Sequence, residues 1–110
     1  MIKITVYQNA KNEYVGFLTE GHAGYAPAGE DIVCAAASML VINTINSIEA
    51  FTQDEASVTA DDESGKIDYR FLHSPSKEAA LLFYAMVLGL QNMAEDEEYR
   101  KYIDLRFREV

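Results

Sequence analysis

The chain is poor in cysteine, histidine and positive charge, and each scarcity excludes a class of function. A single cysteine, Cys34, cannot close an internal disulfide, which fits a reducing cytoplasm. Only two histidines, His22 and His73, accompany it. That is too small a set for a structural zinc site, so no metal or other cofactor is expected. Nine Lys and Arg stand against 18 Asp and Glu, a formal net charge of −9. Phosphate recognition needs a basic patch, so direct binding of nucleic acid is not expected. The opening, Met1-Ile2-Lys3-Ile4-Thr5-Val6-Tyr7, alternates and lacks the apolar block of a signal peptide. The longest uninterrupted apolar run falls far short of a membrane span, so no membrane partner is expected either. No repeat or low-complexity linker divides the chain, and residues 1–110 read as one domain.

What is present suffices for a core. The apolar fraction is 49% over 110 residues. A chain of this length buries about two-thirds of its unfolded surface without metal or disulfide. The acidic surplus permits a basic partner through long-range attraction, although solubility alone accounts for most such charge.

Period-two alternation over Ile2, Ile4 and Val6 predicts a first strand. A polar turn over residues 8–12 leads to a second strand, Tyr14 to Glu20. It ends at Gly21, which tolerates backbone angles other residues resist, and at His22. The next stretch organises the rest. Gly21-His22-Ala23-Gly24-Tyr25-Ala26-Pro27-Ala28-Gly29-Glu30-Asp31-Ile32-Val33-Cys34 joins a histidine at a strand end to the sole cysteine through a loop of small residues. Asp31 precedes an Ala-rich apolar run and reads as the N-cap of a helix from Ile32 to about Ala50. Cys34 would then occupy the third helical position. The free amides and partial positive charge of a first turn favour a thiolate and can donate to an oxyanion. An imidazole nearby would accept the thiol proton. Asp31 opposes this, since a neighbouring negative charge disfavours a thiolate. A lone cysteine is often only a small buried hydrophobe. The combination of sole cysteine, helix start, nearby histidine and Gly-rich loop points instead to a thiol nucleophile.

These residues resemble the signature of the ribosomal-processing cysteine proteases, the Prp family. The resemblance rests on Gly21-His22-Ala23, the Gly-bearing loop, and Gly29-Glu30-Asp31-Ile32-Val33-Cys34-Ala35-Ala36-Ala37-Ser38. Ala36 stands where members often carry Gly, a conservative departure in a helix. The resemblance implies a cytoplasmic endopeptidase with a Cys/His dyad. It implies a substrate too, a large-subunit ribosomal protein, number twenty-seven, whose N-terminal extension is removed. By position it makes Cys34 the nucleophile and His22 the base, with Gly21, Asp31 and Ser38 as supporting motif positions. Ala23, Gly24, Tyr25 and Gly29 are the candidate substrate-binding loop, expected to open and close over the site.

The remaining chain supplies a frame. In the first helix Val33, Ala36, Ala37, Leu40, Val41, Thr44 and Ile48 follow helical spacing. Residues 53–72 read as a hairpin, with Ala56, Val58 and Ala60 on one arm and Ile67, Tyr69 and Phe71 on the other. Its acidic turn contains Gly65, where a positive φ is needed. His73 reads as a surface histidine. Ser76 is the predicted N-cap of a second helix, which ends in the solvated run Glu95-Asp96-Glu97-Glu98. Leu82, Met86 and Leu90 fall off its expected inner face, and such an apolar excess suggests a homodimer, as does the resemblance. Ile103, Leu105 and Phe107 predict a last strand. The expected fold is α+β, a mainly antiparallel sheet of about five strands with two helices in the order β-β-α-β-β-α-β. A non-enzymatic, acidic ribosome-assembly adaptor that binds a basic ribosomal protein is the competing function, and a cysteine redox sensor a third.

Overall fold

The computed structural model describes residues 1–21, 28–61 and 64–110, with residues 28–31 described by backbone alone. The elements follow the expected order: β1 (Ile2–Gln8), β2 (Tyr14–Glu20), α1 (Ala28–Phe51), β3 (Ala56–Asp61), β4 (Lys66–Phe71), α2 (Lys77–Glu95) and β5 (Ile103–Glu109). A 3-10 turn at Tyr99–Lys101, not anticipated, joins α2 to β5. The sheet order is β3-β4-β2-β1-β5. All neighbours are antiparallel except β1 and β5, which run parallel, so the sheet is mixed.

The alternation of β1 works as expected. Ile2, Ile4 and Val6 are buried, and across from them Phe17 and Thr19 of β2 face the same core. The opposite face of the sheet stays polar. There the Arg70 guanidinium lies 4.1 Å from the centre of the Tyr7 ring. Gly16 lies between them in register. A Cβ at Gly16 would overlap the Tyr69 carbonyl and press on the Arg70 stem, so the crossing requires glycine here. Gly65 has φ +66°, as the hairpin turn demands.

Both helices show where apolar spacing left the inward phase undetermined. On α1 the buried residues are Val33, Cys34, Ala37, Val41, Thr44 and Ile48, whereas Ala36, expected inside, is exposed. Ile32, Met39, Ile42 and Phe51 are exposed as well. On α2 the correction is larger. Met86 and Leu90 are fully buried with Ala79, Phe83 and Val87, and Leu82 is half-buried. The outward apolar residues are Leu81, Tyr84 and Leu88. The physical reason is Phe83: it packs on Tyr14, Phe17 and Phe71, with ring centres 5.7, 5.9 and 5.8 Å away, and so fixes the rotation of the helix.

Residues 32–51 are long and apolar enough to cross a membrane by length and composition. A core helix meets the same test, and here the inner face of that segment packs on the sheet.

Ser76 caps α2 as expected, its hydroxyl accepting from the Ala79 amide at 3.1 Å. It is itself held by Asp54, whose carboxylate accepts from the Ser76 amide at 2.8 Å and from the Ser76 hydroxyl. Partial burial pushes the Asp54 carboxyl up, but the bonds from Ser76 and Thr52 outweigh it and hold the group below the usual carboxylate range. At the other end of α2 the exposed acids do more than end the helix. Asp96 accepts from the amides of Glu98 and Tyr99 and so starts the 3-10 turn.

Candidate active site

Topology gathers one end of the sheet around the start of α1. Lys3 pairs with Glu20, so the beginning of β1 lies beside the end of β2. Ile2 pairs with Ile103 and donates its amide to the Tyr102 carbonyl at 2.9 Å, bringing the start of β5 to the same end. Gly21 leaves β2 with φ +87°, and a Cβ there would come within 2.9 Å of the Met1 carbonyl. Glycine is therefore required where the chain turns off the sheet toward His22. His22, Ala23, Gly24 and Tyr25, the candidate base and most of the candidate loop, lie outside the described residues.

The helix start differs from expectation. It begins at Ala28, so Asp31 is the fourth helical residue and no N-cap, and Gly29 belongs to the helix and not to the loop. The cause is a known ambiguity: acids are favoured throughout a first turn as well as at the cap. Glu30 and Asp31 satisfy that preference one step inside. Cys34 becomes the seventh residue of α1. The amides of residues 32–34 then fall inside the i→i−4 ladder and are not the free oxyanion donors expected. The positive pole also lies farther from the sulfur.

Cys34 is 3% exposed and joins the apolar cluster with Val33, Ala37 and Val41. Ser38 follows one turn later on the same side of the helix and is half-buried, as its spacing required. His73 is exposed, beyond the end of β4 that lies away from the start of α1.

Concave surfaces escaped the sequence reading because distant segments build them, and two of them border α1. One, of about 250 Å³, lies between Ile32 and the turn residues Glu98, Tyr99, Lys101 and Tyr102. Ile32 sits two residues from Cys34, a rotation of about 200° around the helix, so this cavity is not where the thiol points. The second, of about 380 Å³, lies between the other flank of α1 and β3, lined in part by Ile45, Glu49, Glu55, Val58 and Leu72. Among the described residues no group of three or more His, Cys, Asp or Glu is placed to hold a metal.

The chain resembles proteins of one kind throughout. A sequence model of the cysteine protease Prp family matches residues 1–104. The chain is 30% identical over 108 residues to the ribosomal processing cysteine protease Prp of Staphylococcus aureus strain Mu50, covering 98% of this chain and 100% of that protein. The corresponding protein of Bacillus subtilis strain 168 is 26% identical, over 87% of this chain and 89% of its own length. Crystal structures of the S. aureus protease match the fold. Its complex with a substrate peptide superposes with a TM-score of 0.90 at 28% identity, covering 97% of this chain and 99% of that one. Its complex with a covalently linked product peptide gives 0.85 at 30% identity, with the same coverage.

Proposed function

The chain belongs to the Prp family of ribosomal-processing cysteine proteases and is a cysteine protease; on that premise we propose that it cuts through a dyad of Cys34 and His22. The observation that carries the reading is arithmetic: a cysteine protease with one cysteine has one candidate nucleophile, Cys34. Of the two histidines, His73 is exposed beyond the far end of β4, which leaves His22 as the base. Cys34 Sγ attacks the scissile carbonyl carbon while His22 takes the thiol proton. The tetrahedral intermediate collapses to a thioester as His22 passes that proton to the leaving amine. Water then hydrolyses the thioester and regenerates the thiol. Gly21, Asp31 and Ser38 are the supporting motif positions of this reading.

The substrate we propose is large-subunit ribosomal protein twenty-seven, cut at its N-terminal extension in the cytoplasm. The net charge of −9 suits a basic partner. A thiol that is 3% exposed also needs an opening of the site before a peptide bond reaches it. Family membership sets aside the non-enzymatic adaptor. The test incubates the protein with that ribosomal protein carrying its extension and reads the products by mass spectrometry. Wild type should release the extension, whereas Cys34→Ala and His22→Ala should not. Turnover by either variant at the wild-type rate would remove the dyad.

We propose a homodimer as well, on the support of the outward apolar residues of α2, Leu81, Tyr84 and Leu88. Sedimentation should give twice the 12.3 kDa chain mass, and Leu81→Asp should shift it toward one.

A further inference from the structure

We propose that the groove between α1 and β3 holds the substrate chain on the leaving-amine side of the scissile bond, taking its basic residues. The inference rests on the protease reading above and adds where the retained part of the substrate lies.

The groove exists because the helices stop short of the sheet edge. Val58 pairs with Tyr69, a core residue, so Val58 faces the helix layer; nonetheless it is 51% exposed. Leu72 is 55% exposed beside it. Together with half-buried Ile45 these residues line an apolar floor in the 380 Å³ concavity.

The groove lies along the flank of α1 that carries the proposed nucleophile. Ser38, Ile45 and Glu49 follow Cys34 by 4, 11 and 15 residues. At about 100° per residue, all lie within roughly 60° of the Cys34 direction. One flank of α1 therefore leads from the thiol into the concavity. Glu49 lies about 22 Å along the helix from Cys34 at 1.5 Å per residue. An extended peptide at about 3.3 Å per residue covers that distance in roughly seven residues.

Charge selects the occupant. Glu49 and Glu55 are exposed on the rim, whereas Asp54 is engaged by Ser76. The Tyr69 phenol beneath them is pushed up to about 12, first by burial and then by the charges of Asp54 and Glu49. A basic, extended segment complements such a groove. In a protein that loses an N-terminal extension, the retained body lies on the leaving-amine side, and ribosomal proteins are generally basic.

Three peptides around the cleavage point of ribosomal protein twenty-seven decide the matter. One stops two residues beyond the scissile bond, one extends about eight residues further with its natural Lys and Arg, and one has those replaced by Ser. At low salt, wild type should cleave the long basic peptide with kcat/KM about tenfold above the other two, the range open to two such charge contacts. The double variant E49K/E55K should lose that preference while cleaving the short peptide like wild type, which also shows that it folds. Equal kcat/KM for all three peptides in wild type, or an unchanged preference in the variant, overturns the proposal. Cleavage of none of them by wild type overturns the substrate assignment, and this inference with it.

Discussion

Helix α2 is held among rings and helix α1 through aliphatic side chains. Phe83 of α2 sits among Tyr14, Phe17 and Phe71, and the helix begins at a cap fastened by Asp54 and Ser76. The inner face of α1 offers Val33, Cys34, Ala37, Val41, Thr44 and Ile48, with no ring among them. The difference teaches a division of labour. The ring and the fastened cap belong to α2, whereas Cys34, the proposed nucleophile, lies on a helix whose inner face is aliphatic.

Charged substitutions in the core break this picture most sharply. Met86→Asp or Leu90→Asp should unfold the protein at room temperature, since each places an unpaired charge in a fully buried site. Circular dichroism would show it. Phe83→Ala should cost about 3–5 kcal/mol in urea denaturation, whereas Cys34→Ala removes one small atom and should cost about 1 kcal/mol or less. A Cys34→Ala cost equal to that of Phe83→Ala would erase the contrast between the helices.

Ser76→Ala should cost about 1 kcal/mol through loss of the cap. The Asp54 contribution should depend on pH. Its folded value is lowered, so its stabilisation is complete above the unfolded value of about 3.9 and fades as pH falls through the folded one. The stability gap between wild type and Asp54→Asn should therefore be constant above about pH 5 and close below about pH 4. A gap that widens toward low pH would contradict the geometry at the cap. Leu81→Asp is the smallest expected change, within about 0.5 kcal/mol in the monomer, because Leu81 is exposed.

Local pattern was enough to place most elements. Alternation placed β1, the hairpin and β5, because a half-buried strand needs a period of two, and aromatic and branched residues placed β2. Ser76, Gly65 and Gly21 announced a cap and two positive-φ turns by their own chemistry. The family was legible in the motif from Gly21 to Ser38, because rare residue types at fixed spacing carry information that a common type does not.

Tertiary structure decided the rest. Leu81, Leu82, Phe83, Ala85, Met86, Val87, Leu88 and Leu90 form an almost unbroken apolar run, which contains no phase. Only the aromatic residues of β2 and β4 chose the inward side. The first turn of α1 was ambiguous because Glu30 and Asp31 suit a cap and a first turn alike. The groove beside α1 was invisible because Glu49, Val58 and Leu72 meet only once β3 extends past the helix layer. Local preference writes elements into a sequence, but a concave surface belongs to segments that are neighbours in space alone.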